Sequence, residues 1–120
     1  MKQSKIFSIA GQTDIVFLRM TVRDVAREQG MSLADQARIS LAVSSFVESI
    51  SVSSANPGQA TVAECARDGR VGMQVTYLVQ DDNRGNWNTV LENVKWMVDE
   101  TSVETLAEEQ IQVTLIKWKV

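Results

Sequence analysis

Three hydroxyls, Ser44, Ser45 and Ser49, stand close together near the end of a stretch with helical periodicity, and they are the first candidates for chemistry. A serine nucleophile needs a neighbouring base to take its proton. The chain has no histidine and no evident lysine base, so the three read as small polar residues on a helix surface. The same composition excludes histidine-dependent acid–base and metal chemistry. The carboxylates Asp99, Glu100, Glu104, Glu108 and Glu109 lack the spacing of metal ligands and read as a solvated acidic surface. Cys65, the one cysteine, has no partner for an internal disulfide and reads as a small core or half-buried residue. Asp81-Asp82-Asn83-Arg84-Gly85 has the composition of a polar turn. The tryptophans Trp87, Trp96 and Trp118 are harder to place as packing alone. In the last apolar segment the hydrophobic positions switch faces, leaving Ile116, Trp118 and Val120 opposite Ile111, Val113 and Leu115. Either the sheet curls there or its open face is an interface.

The elements that must position these residues alternate in type. Lys5 to Gln12, with Ile6, Phe7 and Ile9, predicts a short strand ending at Gly11. Ile15, Leu18, Val22, Val25 and Ala26 then recur at helical spacing, with Thr13 or Asp14 able to cap the first turn and Gly30 where a left-handed cap belongs. Ser32 caps a second helix, whose buried stripe is Ile39, Val43, Phe46 and Ile50. A Ser/Asn/Pro/Gly loop over 51–58 follows. Two segments, Gln59 to Arg67 and a strictly alternating one through Val71, Met73, Val75, Tyr77 and Val79, flank Asp68-Gly69, the strongest hairpin signal in the chain. Asn86 to Asp99 returns to helical spacing, and Ser102 to Ala107 with Ile111 to Val120 closes the chain as a second strand pair. This order predicts an α+β fold, a two-layer sandwich of a mainly antiparallel sheet with three helices on one face.

Composition bounds the function. The 120 residues, 44% of them hydrophobic, suffice for a single domain, residues 1–120, and are too few for two. Fifteen acidic residues against 12 basic ones, with no Lys/Arg cluster, argue against a nucleic-acid surface. No apolar run reaches membrane-spanning length, and Met1-Lys-Gln-Ser-Lys lacks the apolar core of a signal peptide, so a cytoplasmic location without membrane attachment is expected.

The segment Asp35-Gln-Ala-Arg-Ile, the helix ending Val94-Lys95-Trp96-Met97-Val98-Asp99-Glu100, and the terminal Val113-Thr114-Leu115-Ile116-Lys117-Trp118 occur in register over nearly the whole chain. Together they resemble the anti-sigma-factor serine/threonine kinases, a branch of the GHKL ATPases with the Bergerat, or histidine-kinase-like, fold. The resemblance implies a glutamate base at position 45 and a magnesium-holding asparagine at position 49. This chain has Ser45 and Ser49 there. It also implies an adenine-binding Asp-x-Gly-x-Gly, of which Asp81 and Gly85 match while Asn83 replaces the middle glycine. The glycine-rich lid that covers the phosphates in such proteins has no counterpart, because only Asn86, Trp87 and Asn88 separate Gly85 from the next helix.

Phosphoryl transfer depends on positioning and charge neutralisation, so the loss of base, magnesium amide and lid implies a degenerate ATPase domain. The expectation is a non-catalytic, protein-binding regulatory module of partner-switching signalling. Neither cofactor nor metal is expected; residual ATP/Mg binding would rest on Asp81 and Gly85. The alternative is an ATP-binding protein serine/threonine kinase with an atypical nucleotide site. The resemblance implies a STAS-type antagonist, a sigma factor or a phosphatase subunit as partner, with a homodimer possible. It places docking near Arg19, Arg23, Arg27, Asp35 and Arg38, to which the open sheet face adds Trp118.

Overall fold

The computed structural model describes residues 4–49, 57–80 and 87–119. The elements, in chain order, are β1 (Ser4–Ile9), α1 (Gln12–Glu28), α2 (Leu33–Glu48), β2 (Gly58–Arg67), β3 (Arg70–Gln80), α3 (Trp87–Glu92), β4 (Glu100–Thr105) and β5 (Gln110–Trp118). One five-stranded sheet has the order β1-β2-β3-β5-β4, and every neighbouring pair is antiparallel. The expected two-layer α+β sandwich is therefore the fold. Tyr77, Val75, Met73, Val113 and Leu115 point from the sheet into one core with Leu18, Val22, Ile39, Val43 and Phe46 of the helices. Ile50, expected on the same stripe, lies outside the described residues, as does Val120.

Local chemistry sets the element boundaries. Helix α1 begins two or three residues earlier than Thr13 or Asp14 could cap it. Gly11 is its N-cap, and the Asp14 carboxylate instead accepts the Ala10 N–H at 2.8 Å. At its other end Gly30 adopts φ +79°, the Gly30 N–H donates to Arg27 O and the Met31 N–H to Ala26 O, a complete Schellman closure. The Ser32 hydroxyl then accepts the Asp35 N–H at 3.1 Å and opens α2. Asp68 and Gly69 both have positive φ, 53° and 79°, as the tight turn joining β2 to β3 requires.

The third helix departs from expectation. Rather than running through Asp99, it stops at Glu92, and a separate 3-10 turn spans Lys95–Met97. The buried side chains Leu91, Val94 and Met97 recur every three residues, the period of a 3-10 helix, and the backbone follows them: Val94 N donates to Leu91 O and Met97 N to Val94 O. The Trp96 indole N–H donates to the Asn93 carbonyl that this change leaves free.

Candidate functional site

Helix α2 carries the three serines on its last two turns. Ser44 is buried and its hydroxyl donates to Leu41 O at 3.2 Å; Ser45 is half-buried; Ser49 is exposed at the C-cap. The Ser49 hydroxyl donates to the Ser45 carbonyl at 2.8 Å, so it already caps its own helix. The pair differs in chemistry from the glutamate and asparagine that the resemblance implies for magnesium-nucleotide. Neither position offers a carboxylate to accept a proton or an amide carbonyl to hold a cation, and one of the two hydroxyls is directed inward to the backbone. Among the described residues no three His, Cys, Asp or Glu side chains gather as metal ligands would. Asp81 and Gly85, with Asn83 between them, lie outside the described residues. Residues 81–86 alone join β3 to α3.

An aromatic cluster adjoins this end of α2. Phe46 meets Tyr77 edge to face at 5.7 Å between centroids and Trp87 at 6.5 Å. Trp87, expected in a turn, is the first residue of α3 and pins that helix to α2. Among the described residues, the Tyr77 hydroxyl and the Trp87 indole N–H are buried without a hydrogen-bond partner. Burial pushes the ionisation of Tyr77 well above its ordinary value.

The candidate docking residues separate into two groups. Arg19, Arg23, Arg27 and Arg38 are exposed on α1 and α2. Arg27 pairs with Asp24 at 2.8 Å and Arg38 with Asp35 at 3.1 Å. Asp35 and Trp118 are not on the surface. Asp35 is only 4% exposed, its carboxylate 3.5 Å from the ammonium of buried Lys117, which also reaches Asp99 at 3.3 Å. Asp99 in turn accepts the Trp118 backbone N–H at 2.6 Å. This ionic chain ties the start of α2 to the end of β5.

Trp118 does face away from the helices, yet it is only 5% exposed. The Arg67 and Arg70 guanidinium groups lie over its ring at 5.0 and 4.5 Å, and its indole N–H donates to Glu100 at 2.9 Å. Arg67 also pairs with Glu100, and these two donors hold the Glu100 carboxyl below its usual range. The open face has thus covered its own tryptophan, whereas Trp96 remains 72% exposed.

Two features escaped the reading of the sequence. Lys117 continues the inward register of Ile111, Val113 and Leu115, a signal that strand alternation does carry. Val16, Phe17, Met20 and Leu41 are exposed apolar residues on the outer face of the helix layer. They lie off the buried stripes, and nothing in their spacing separates them from incidental surface residues.

No family model matches the chain. Over 98% of its length it is 30% identical to the serine/threonine-protein kinase RsbT of Bacillus subtilis (strain 168), 98% of which is covered in turn. The matched span runs over 132 positions, more than the 120 residues of this chain, so RsbT fills positions for which this chain has no residue.

Proposed function

The chain belongs to the family of the serine/threonine-protein kinase RsbT, and within it we propose a regulatory role from which phosphoryl transfer has been lost. In this reading the protein is a non-catalytic partner-binding module of anti-sigma-factor signalling. It keeps the α+β scaffold and docks on other proteins through the exposed face of α1 and the start of α2. A STAS-type antagonist, a sigma factor or a phosphatase subunit is the expected class of partner, in the cytoplasm.

The observation that carries the reading is the hydroxyl pair on α2, with Ser49 bonded to the Ser45 carbonyl. A neutral hydroxyl at position 45 is too weak a base to take a proton from an attacking serine. At position 49 a short hydroxyl tied to its own helix replaces the longer amide that the resemblance implies for magnesium, and reaches less far toward a bound nucleotide. The short 81–86 connection supports the same reading, because so few residues leave little chain for a separate glycine-rich lid. The alternative, a kinase with an atypical nucleotide site, rests on Asp81 and Gly85.

A thermal-unfolding comparison with and without magnesium and ATP tests the choice. A ligand that binds only the folded chain, at a hundredfold excess over its dissociation constant, adds about 2.7 kcal/mol. The expected result is no shift. A rise of several degrees that requires magnesium would favour the kinase.

A further inference from the structure

We propose that the outer face of α1 and α2 is a docking surface for an acidic amphipathic helix of a partner protein; this rests on the reading of the chain as a partner-binding module and names the chemistry of what binds. The first support is exposure. Phe17 is 58%, Met20 56% and Leu41 52% exposed, with Val16 one turn before Met20 on the same side of α1. Val16, Phe17 and Met20 lie on α1 and Leu41 on α2, and the two helices pack against each other, with the Ser40 hydroxyl donating to Arg19 O between them. A soluble chain gains nothing from holding large apolar side chains in water, and grouped ones mark a contact.

Charge supplies the second support and selects the occupant. Arg19, Arg23 and Arg27 recur every four residues along α1, so their guanidinium groups follow one ridge beside the patch. Arg27 is answered by Asp24, but neither Arg19 nor Arg23 is paired with a carboxylate among the described residues. The chain as a whole carries a net charge of −3, so this cationic ridge runs against its overall sign. A second copy of the chain would have to bring the same arginines to the same face. A partner bearing carboxylates beside an apolar stripe matches both halves at once. Two helices packed side by side present a shallow furrow between their ridges, which takes a third helix more readily than an extended strand, because a helix satisfies its own backbone hydrogen bonds.

The test uses the full chain and two synthetic helical peptides of roughly 18 residues, about five turns. Both have leucines at i, i+3, i+4 and i+7; one has glutamates and the other lysines at the remaining positions. Fluorescence anisotropy is read at low and high salt. The glutamate peptide is expected to bind, more weakly as salt rises, and the lysine peptide not to bind. Phe17→Ser with Met20→Ser should weaken binding at least about tenfold, a loss typical of central apolar anchors. Arg19→Glu with Arg23→Glu should transfer the preference to the lysine peptide. Far-ultraviolet circular dichroism confirms that these surface variants stay folded.

Equal binding of both peptides, no binding of either, or binding indifferent to the four substitutions would overturn the proposal. So would a dimer in sedimentation that Phe17→Ser dissolves, which would assign the face to a second copy. Flotation with phosphatidylglycerol vesicles that Phe17→Ser abolishes would assign it to a lipid surface and overturn the proposal equally. Magnesium-ATP binding, by contrast, would remove the non-catalytic reading and leave this face as it is.

Discussion

Tyr77 and Gly58 constrain each other at a point where no sequence pattern would suggest it. Gly58 begins β2 against the Tyr77 hydroxyl and ring, and a Cβ built on Gly58 would overlap both. Gly58→Ala is expected to cost about 2 kcal/mol through overpacking, read as a lower urea midpoint at unchanged slope. Tyr77→Phe should instead stabilise the protein by about 1 kcal/mol, since it removes a buried hydroxyl that has no partner among the described residues. It should also change the alkaline limb. Because burial raises the Tyr77 pKa, the folded chain keeps its proton above pH ~10, where the unfolded chain loses it, so stability falls as pH rises through that range. The Phe variant should lack this part of the slope in unfolding measured from pH 8 to 11. Lys117 makes the strongest ionic commitment. Lys117→Met leaves the buried Asp35 carboxylate with only the exposed Arg38 as ionic partner and should cost about 2 kcal/mol, much of it recovered in the double variant with Asp35→Leu.

The elements were the most legible part of the chain. Period-two alternation in β3, the Asp68-Gly69 turn and the Ser32 cap are local signals with local causes, and each lies where the pattern placed it. Gly69→Ala should lower stability by about 1 kcal/mol, because an L side chain strains a residue at φ +79°; equilibrium denaturation would show it. The third helix was misread because its apolar residues fit two periods. Spacings of three and four describe an α-helix, and the run Leu91, Val94, Met97 also fits a 3-10 turn, which packing against the core selects. Trp118 was placed on the correct face, but its environment was not legible. The arginines that cover it come from both sides of the Asp68-Gly69 turn, and only the β3–β5 register brings them together.

At the scale of the molecule, the scaffold and its family could be read from the chain, whereas the exposed apolar face could not. Burial patterns announce the core, since many positions must agree; a surface patch needs only the chance adjacency of two helices. Phe17 and Met20 of α1 share the outer side of the helix layer with Leu41 of α2 through the α1–α2 packing, not through sequence. The central claim is that the fold persists without phosphoryl transfer. Titration calorimetry with magnesium-ATP, paired with release of labelled phosphate from the same sample, tests it most directly. The expected result is no saturable heat and no phosphate above the protein-free control. Saturable, magnesium-dependent binding that Ser45→Ala with Ser49→Ala abolishes while the fold is retained would contradict it.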